Sequence, residues 1–283
     1  VAAERVFEII DMKNKEITNG NELIKNIKGL IEIKNLIFSY TEEKKYNNVI
    51  DDLSLKINPG EKIAIVGHTG SGKSTIINLL TRFYEYDHGE IYIDGISIKK
   101  IKISEIRKNI SVVLQDVFLF ADTIYNNIVL FDEKKSLNQV IKLSKEIGAH
   151  DFINLLPNKY FFNVKERGAS LSSGQRQLIS FLRAYISNPS ILILDEATSS
   201  IDSYTEELIQ NAIQKITSGK TSIIIAHRLA TIKKADKIIV IDNGRIVEFG
   251  NHNTLLSKRG IYKDLHDSQL KKEKNKIKER DLF

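Results

Sequence analysis

The chain has 283 residues, of which 42% are hydrophobic, so it can bury the core of one composite α/β domain or of two small ones. The absence of cysteine excludes disulfides and thiolate metal sites, and no uncharged apolar run approaches the ~20 residues of a membrane-spanning helix. Half of the net charge of +6 comes from residues 271–283, so the rest of the chain is only mildly basic and a nucleic-acid surface is disfavoured.

The first 29 residues have the pattern of a tether. Val1 to Asp11 carries apolar residues spaced as at the end of a helix, and Met12 to Gly29 is polar and rich in Asn and Lys. The chain begins at Val1 and its only methionine is Met12, so we expect it to be a fragment of a longer polypeptide.

Strand patterns dominate the next part of the chain. Alternating apolar residues separated by turn signals predict an antiparallel β region, in which turns at Asn58-Pro59-Gly60 and Asp94-Gly95 connect the strands. The predicted strands are Ile31 to Tyr40, Leu53 to Ile57, Ile63 to Val66 and Ile91 to Ile93.

Gly67 to Thr75 reads G-H-T-G-S-G-K-S-T and follows one of these predicted strands. It fits the phosphate-loop pattern G-x-x-x-x-G-K-[ST], with Gly67, Gly72, Lys73 and Ser74 at the fixed positions. Glycines let the backbone turn tightly with its N–H groups pointing inward, and the N-terminal end of the following helix favours negative charge. We therefore expect Lys73 to reach the terminal phosphates of a polyphosphate and Ser74 to bind Mg²⁺. The alternative is an ordinary glycine-rich turn.

After a strand at Ile110 to Leu114 the pattern becomes helical, up to the loop that ends at Gly168. The helices of this predicted insertion are Thr123 to Ile128, Ser136 to Ile147 and Asp151 to Leu155. Helices and strands then alternate, which predicts a parallel sheet. The predicted elements are the helices Gln175 to Ile186 and Ser203 to Ile216, the strands Ile191 to Leu194 and Thr221 to Ala226, and a hairpin at Asn243-Gly244. Lys271 to Phe283 is expected to be frayed or disordered.

Two further motifs bear on a bound nucleotide. A buried parallel strand that ends in Asp195 places a carboxylate beside the phosphate loop, where it can hold Mg²⁺ through water, and Glu196 is then the natural general base for an attacking water. The alternative is an ordinary strand followed by an acid that caps a helix.

The second motif is Leu171-Ser172-Ser173-Gly174-Gln175, which precedes a periodic helix and is typical of an N-cap. The free N–H groups of a helix N-terminus and the serine hydroxyls also make an anion site.

In this order, Gly67 to Thr75, Leu171 to Gln175, Asp195-Glu196 and Ala226-His227 resemble the nucleotide-binding domain of an ATP-binding cassette (ABC) transporter. The resemblance covers nearly all of residues 30 to 267, and the pentapeptide, called the signature, marks this family among phosphate-loop proteins. Val164 to Gly168 is similar to the loop that precedes the signature in exporters, where it meets the membrane domain.

The resemblance implies an α/β fold, with a phosphate-loop NTPase core that contains a parallel sheet, an N-terminal antiparallel β subdomain and an inserted α-helical subdomain. Residues 1–29 would be a tether from a missing transmembrane domain. The ATP-binding core would comprise 30–115 and 172–250, the helical subdomain 116–171, and the C-terminal helices and basic tail 251–283.

The resemblance also implies ATP and Mg²⁺ as ligands and ATP hydrolysis as the reaction. Tyr40 would stack on adenine, with Val49 lining the same base. Gln115 would sense Mg²⁺ and the water, His227 would hold the γ-phosphate and the water in line, and Asp202 would lie across a dimer interface. The phosphate-loop residues expected to bind ATP are Gly67, Thr69, Gly70, Ser71, Gly72, Lys73, Ser74 and Thr75. The implied catalytic set is Glu196, His227, Gln115 and Lys73, and the implied Mg²⁺ set is Ser74, Gln115 and Asp195.

In this family two cassettes close head to tail, so Ser172, Ser173, Gly174 and Gln175 would contact the ATP held by the partner. The implied partners are a transmembrane domain of the same polypeptide and a second cassette, at the cytoplasmic face of a membrane, with no nucleic acid. Ser173 stands where the family usually has glycine, a pattern similar to one chain of heterodimeric exporters. We hypothesise a heterodimer, with a homodimer as the alternative.

Lys165 is a second departure from the family pattern, because the exporter loop normally has glycine at this position.

Three other classes of protein are disfavoured. ATPases that tether chromosomes need a long coiled coil between the phosphate loop and the signature, for which the chain has no room, and translation factors of the family carry two cassettes. Separate importer subunits should lack Glu166-Arg167-Gly168 and a tether, and a binding-only module should lack Glu196 and His227.

Overall fold

The computed structural model describes residues 7, 20–24, 26–41, 48–195, 203–226 and 228–280. Three residues of the expected site, Glu196, Asp202 and His227, lie outside these ranges, as do most of residues 1–19. Among the described residues, no helix is both long and apolar enough to cross a membrane.

Strands and helices alternate along most of the chain. The strands are β1 (Ile31–Phe38), β2 (Ile50–Ile57), β3 (Lys62–Val66), β4 (His88–Ile93), β5 (Ile96–Ser97), β6 (Ile110–Val113), β7 (Ile191–Asp195), β8 (Thr221–Ile225), β9 (Lys237–Asp242) and β10 (Arg245–Gly250). The helices are α1 (Lys73–Leu80), α2 (Ile103–Asn109), α3 (Ile124–Val129), α4 (Leu137–Glu146), α5 (His150–Leu155), α6 (Ser173–Ile186), α7 (Ser203–Thr217), α8 (Leu229–Ile232), α9 (His252–Lys258) and α10 (Ile261–Arg280). Short 3₁₀ turns occur at Lys159–Phe161 and Glu166–Gly168.

The strands form two sheets. A four-stranded antiparallel sheet has the order β2-β1-β4-β5, and a six-stranded sheet has the order β10-β9-β3-β8-β7-β6. All pairings in the larger sheet are parallel except that of β9 with β10. This architecture is the phosphate-loop NTPase core with an antiparallel β subdomain.

Alternate side chains along the parallel strands point to opposite faces of the sheet and belong to two different hydrophobic cores. In β3, Ile63 and Ile65 belong to the core shared with the antiparallel sheet and α1, whereas Ala64 and Val66 belong to the core shared with most of the other helices. Both faces are therefore covered, which is why the parallel strands are continuous apolar runs in the sequence.

The helical subdomain comes between β6 and β7. Helices α3 and α4 pack on α6, and α4 also packs on α5. One side of the larger sheet is thus covered by a helical layer whose outer part is the insertion, as the sequence predicted.

Most predicted elements agree with the structure within a few residues, but several features differ. Helices α2 and α8 were not predicted, because their seven and four residues give too short a periodic pattern. Helix α10 continues to Arg280, where we expected fraying, since Lys, Glu and Arg are good helix formers. Residues 20–24 also pair with the body of the domain, through a parallel bridge between Glu22 and Ile101.

Candidate functional site

The carboxyl ends of β3, β8, β7 and β6 meet at one edge of the larger sheet, because these four neighbouring strands run parallel. The phosphate loop follows β3, and Asp195 is the last residue of β7. Asp195 is in register with Ile225 of β8, which in turn pairs with Ile65 of β3. The backbone of Asp195 therefore lies about 10 Å, or two strand spacings, from the strand that leads into the phosphate loop.

The backbone of the phosphate loop is so closely packed that two of its glycines cannot be replaced without a clash. A Cβ at Gly67 would lie 2.1 Å from the carbonyl oxygen of Ile241, and a Cβ at Gly72 would lie 2.8 Å from that of Val49. Gly72 also precedes α1 with a φ of 101°, a left-handed conformation that favours glycine. These contacts fix the loop as a narrow cradle at the N-terminal end of α1.

Lys73 places its ammonium group inside this cradle. Its Nζ donates hydrogen bonds to the carbonyl oxygens of Gly67 at 3.0 Å and His68 at 2.7 Å, and to Ser71 Oγ at 3.3 Å. Burial lowers the pKa of Lys73, while the negative charge of Asp195 acts in the opposite direction. A cation with only 8% of its surface exposed lies where the terminal phosphates of a nucleotide would be bound.

The residues around this cradle fit a polyphosphate with a divalent cation. Ser74 is exposed in the first turn of α1, next to buried Lys73 and Thr75, so its hydroxyl is accessible. The described residues contain no cluster of three carboxylates or imidazoles able to hold a metal alone. One hydroxyl, one carboxylate and phosphate oxygens are a ligand set that suits Mg²⁺.

Tyr40 lies beside α1 and is 47% exposed. Its hydroxyl donates to Thr75 Oγ1 at 3.1 Å and accepts from Asn78 Nδ2 at 3.3 Å, and its ring meets that of Tyr84 edge to face at 4.9 Å. Val49, the other residue expected near the base, is half-buried and donates its amide to the carbonyl of Phe38.

Asn78 and Tyr84, which were not predicted, both contact Tyr40. A signal for Asn78 was present, because residues 75 and 78 are three apart and lie on the same face of a helix. No local pattern marks Tyr84, since its contact with Tyr40 depends on the packing of β1 against the end of α1.

Gln115 is exposed and follows β6 at the same sheet edge. Beyond it, residues 118–120 form what we call the aromatic loop, in which Phe118 and Phe120 are 54% and 47% exposed and their rings meet edge to face. These two rings form a pair of large apolar side chains held together at the surface.

The aromatic loop is held by a buried polar network. Asn127, fully buried in α3, donates from Nδ2 to the Phe120 carbonyl at 3.0 Å and accepts the Phe120 amide at 2.8 Å. Arg183 of α6 donates to the carbonyls of Asn127 at 2.9 Å and Phe118 at 3.2 Å, and burial lowers its pKa. The helix that begins at the signature is thereby bonded directly to the aromatic loop.

The signature pentapeptide forms the N-terminus of α6. The amide of Gln175 donates to Ser172 Oγ at 3.2 Å, and the amide of Ser172 donates to Gln175 Oε1 at 3.0 Å, which is a complete capping box. Ser172 and Ser173 are exposed and Gly174 is buried. The N-cap and anion-site interpretations remain compatible, because the cap leaves the exposed Ser173 at the first position of the helix.

The loop before the signature contains a strained residue. Lys165 has φ 60° and ψ −177°, a combination that is nearly restricted to glycine. A backbone bond from Val164 to Asp122 joins this loop to the residues before α3, and a Cβ at Gly168 would lie 2.9 Å from Leu119 Cδ1, so the loop packs directly on the aromatic loop. The loop that resembles the exporter loop and the aromatic loop are thus parts of one surface.

Comparisons with known proteins identify the family. The ABC transporter family model matches residues 50–199. The chain is 47% identical over 272 residues to an uncharacterized ABC transporter ATP-binding protein, YknV, of Bacillus subtilis, with 95% of this chain and 44% of that protein covered. It is 44% identical over 268 residues to an ATP-dependent lipid A-core flippase of Saccharophagus degradans, with 95% and 45% covered.

A solved structure also matches the chain and belongs to the same family. A bacterial Atm1-family ABC exporter with ATP bound matches with a TM-score of 0.84 and 36% identity, over 94% of this chain and 46% of that one. The chain thus spans about half the length of these relatives. Because the family model matches more than half of the chain, and a solved ABC exporter that is 36% identical shares its fold, the chain belongs to the ABC transporter family.

Proposed function

We propose that this chain is the ATP-binding and ATP-hydrolysing domain of an ABC exporter, which closes head to tail on a second cassette to power transport of a substrate across a membrane. The observation that carries the proposal is the arrangement of the Lys73 ammonium inside a glycine cradle with Asp195 on the same sheet edge. Relatives named as a lipid A-core flippase and a putative multidrug export protein support the exporter class.

ATP binds with its phosphates in the cradle and its base near Tyr40. Phosphate oxygens replace the Gly67 and His68 carbonyls as acceptors for Lys73, so the ammonium group does not have to travel. The first-turn amides of α1 and the helix dipole add further attraction for the phosphates. Tyr40, which is exposed and framed by Asn78 and Tyr84, stacks on the adenine, with Val49 beside the same base.

Hydrolysis requires a base, an in-line water and charge stabilisation. Glu196 accepts the proton of the water and His227 holds the γ-phosphate, and both residues lie outside the described ranges. Gln115 reaches the water from the end of β6. Ser74, Asp195 and Gln115 would hold Mg²⁺, and the ion would supply positive charge that neutralises the phosphate oxygens. Lys73 stabilises the charge on the transferred group.

The second cassette completes the site. Ser173 and the other signature residues are exposed at the N-terminus of α6, where the helix dipole favours a phosphate. They contact the ATP of the partner, and Asp202 lies at the same interface. ATP binding therefore closes the dimer and hydrolysis lets it reopen.

The transmembrane domain docks on the surface formed by the aromatic loop and the loop before the signature. The exposed rings of Phe118 and Phe120 supply apolar area, and Arg183 joins their loop to α6. Because this surface is bonded to α6, a movement of the membrane helices that dock on it reaches the signature, which contacts the nucleotide. In this proposal the chain works at the cytoplasmic face of a membrane.

The test is Glu196→Gln in the full-length protein. We expect ATP turnover to fall by about 100-fold or more, because the general base is lost. ATP binding is retained, so the variant accumulates as an ATP-bound dimer. Phosphate release and size-exclusion chromatography with MgATP measure the two effects.

Glu207→Gln is the matched control, because it makes the same chemical change at an exposed position of α7. It should leave turnover and dimerisation unchanged. Unchanged hydrolysis in Glu196→Gln would remove Glu196 from the catalytic role, and a wild-type protein that does not bind ATP would refute the proposed function.

A further inference from the structure

The segment that leads into β1 is docked on the domain at two places. We call residues 20–24 and 26–30 the lead-in segment. At its start, the Glu22 amide donates to the Lys100 carbonyl at 2.9 Å, and the Lys102 amide donates to the Glu22 carbonyl at 3.0 Å. A Cβ at Gly20 would lie 2.1 Å from the carbonyl carbon and oxygen of Lys100, so only glycine allows this approach.

The end of the lead-in segment is held by one carboxylate. Asp94 accepts the amides of Lys28 at 2.6 Å, Gly29 at 3.2 Å and Leu30 at 2.8 Å. Between the two anchors, Ile24 is 9% exposed and belongs to the hydrophobic core of the antiparallel sheet. A force along the chain before residue 20 is therefore applied first to the loop that contains Lys100.

The other side of this loop is bound by Arg82, which lies two residues beyond α1. Its Nη1 donates to the carbonyls of Ile98 at 3.1 Å, Lys99 at 3.5 Å and Ile101 at 3.4 Å. The rest of the guanidinium bonds to Glu85, and the side chain is almost completely buried. Neighbouring carbonyls of one short loop thus accept bonds from Arg82 on one side and from the lead-in segment on the other.

Helix α1 joins this arrangement to the nucleotide. It has eight residues, so it is about 12 Å long, with the phosphate cradle at its N-terminal end and Arg82 just past its C-terminal end. A short helix packed in a core moves as a rigid rod. A displacement of the cradle is therefore transmitted to the loop at residues 98–101.

We propose that Arg82 is a positioning residue, which couples the phosphate-loop helix to the lead-in segment through the carbonyls at residues 98–101. The inference rests on the proposed function, in which ATP binds at the start of α1 and a transmembrane domain precedes the lead-in segment. Arginine is required because its planar fork reaches several acceptors at once, whereas a lysine ammonium is a compact point charge. This contact gives the membrane domain a second connection to the nucleotide, separate from the aromatic loop.

The experiment is hydrogen exchange of the full-length protein in lipid nanodiscs, in the Glu196→Gln background, with and without MgATP. It follows the amides of Glu22 and Lys102, whose acceptors lie in the loop and the lead-in segment. We expect ATP to change their exchange rates by about fivefold or more, the range typical of coupled sites. In Arg82→Lys, ATP still binds but this change is lost.

Gly20→Ala tests the same connection from the other end, and it keeps the proposal falsifiable if Arg82→Lys does not fold. Its added Cβ collides with the backbone of Lys100, so both amides should exchange fast whether or not ATP is bound. Asn21→Ala, at the exposed neighbouring position, is the matched control and should keep the ATP response.

ATP binding is measured in the same samples, so a failure of the proposed function can be distinguished from a failure of the role proposed for Arg82. A protein that does not bind ATP contradicts the proposed function. A protein that binds ATP without any change at Glu22 and Lys102 overturns the role of Arg82, and so does full retention of the change in Arg82→Lys or in Gly20→Ala.

Discussion

At the scale of single residues, Lys165 shows how a departure from the family pattern appears in the backbone. The exporter loop normally has glycine at this position. The backbone of Lys165 has φ 60° and ψ −177°, a conformation that glycine favours. An L residue held in this region costs of order 1–3 kcal/mol. The neighbouring bond from its amide to Asn163 Oδ1 at 2.9 Å helps to hold it there.

We predict that Lys165→Gly stabilises the chain by about 1 kcal/mol, because the relieved strain exceeds the larger chain entropy of glycine when unfolded. Urea unfolding of the chain measures the difference. Lys134→Gly, at an exposed position without a positive φ, is the control and should be neutral or destabilising. Equal or lower stability of Lys165→Gly would show that the strain at Lys165 does not exceed the entropic cost of glycine, contrary to the prediction.

At the scale of elements, the contact between α3, α6 and the aromatic loop depends on Asn127. Its buried side chain makes bonds to Phe120 and Thr123 and accepts one from Arg183 at 3.3 Å. Removing it leaves the Phe120 amide without its side-chain acceptor and one nitrogen of the Arg183 guanidinium without this bond. Each such buried group costs about 1–3 kcal/mol.

Asn127→Ala is therefore predicted to destabilise the chain by about 2–4 kcal/mol in denaturant unfolding. Asn126→Ala is the matched control, because the same side chain at the next position is only half-buried and bonds to Asp122. We expect the control to lose about 1 kcal/mol or less. Similar losses for the two variants would contradict the role assigned to Asn127.

At the scale of the whole molecule, the proposed function gives one chain two different half-sites, a phosphate loop for its own ATP and a signature for the partner's. Ser173 adds a Cβ and a hydroxyl at the signature position where the family usually has glycine, and it is exposed at the start of α6. We hypothesise that the partner is a different chain. In that case the two ATP sites of the assembly are not equivalent.

The corresponding prediction is that Ser173→Gly raises ATP hydrolysis at the partner's site by about 2- to 10-fold, the equivalent of one improved hydrogen-bonding contact. Ser173→Ala keeps the Cβ and should not raise it. Single-turnover hydrolysis by the full-length assembly measures both variants. If the purified full-length protein alone forms a dimer with two equivalent, active sites, the heterodimer hypothesis is wrong.

Much of the fold was predictable because its signals are local. The phosphate loop, the turn at Asp94-Gly95 and the capping box of Ser172 and Gln175 each depend on residues a few positions apart. Continuous apolar runs marked the buried parallel strands, since both faces of the larger sheet are covered. The prediction that the chain frays from Lys271 onward was wrong up to Arg280, because Lys and Glu have a high helix propensity even in a charged segment.

The fold class and the family followed from the sequence alone, since glycine spacing, one lysine and strand-end acids are contiguous patterns, and the chemistry of the candidate site stays a prediction. Only the tertiary structure decided which groups meet. Strand order places Asp195 two strands from β3, Arg183 reaches the aromatic loop from α6, and Arg82 reaches the loop that binds Glu22. These contacts join residues that are far apart in the chain, so they follow from strand pairing and side-chain packing, which no local pattern encodes.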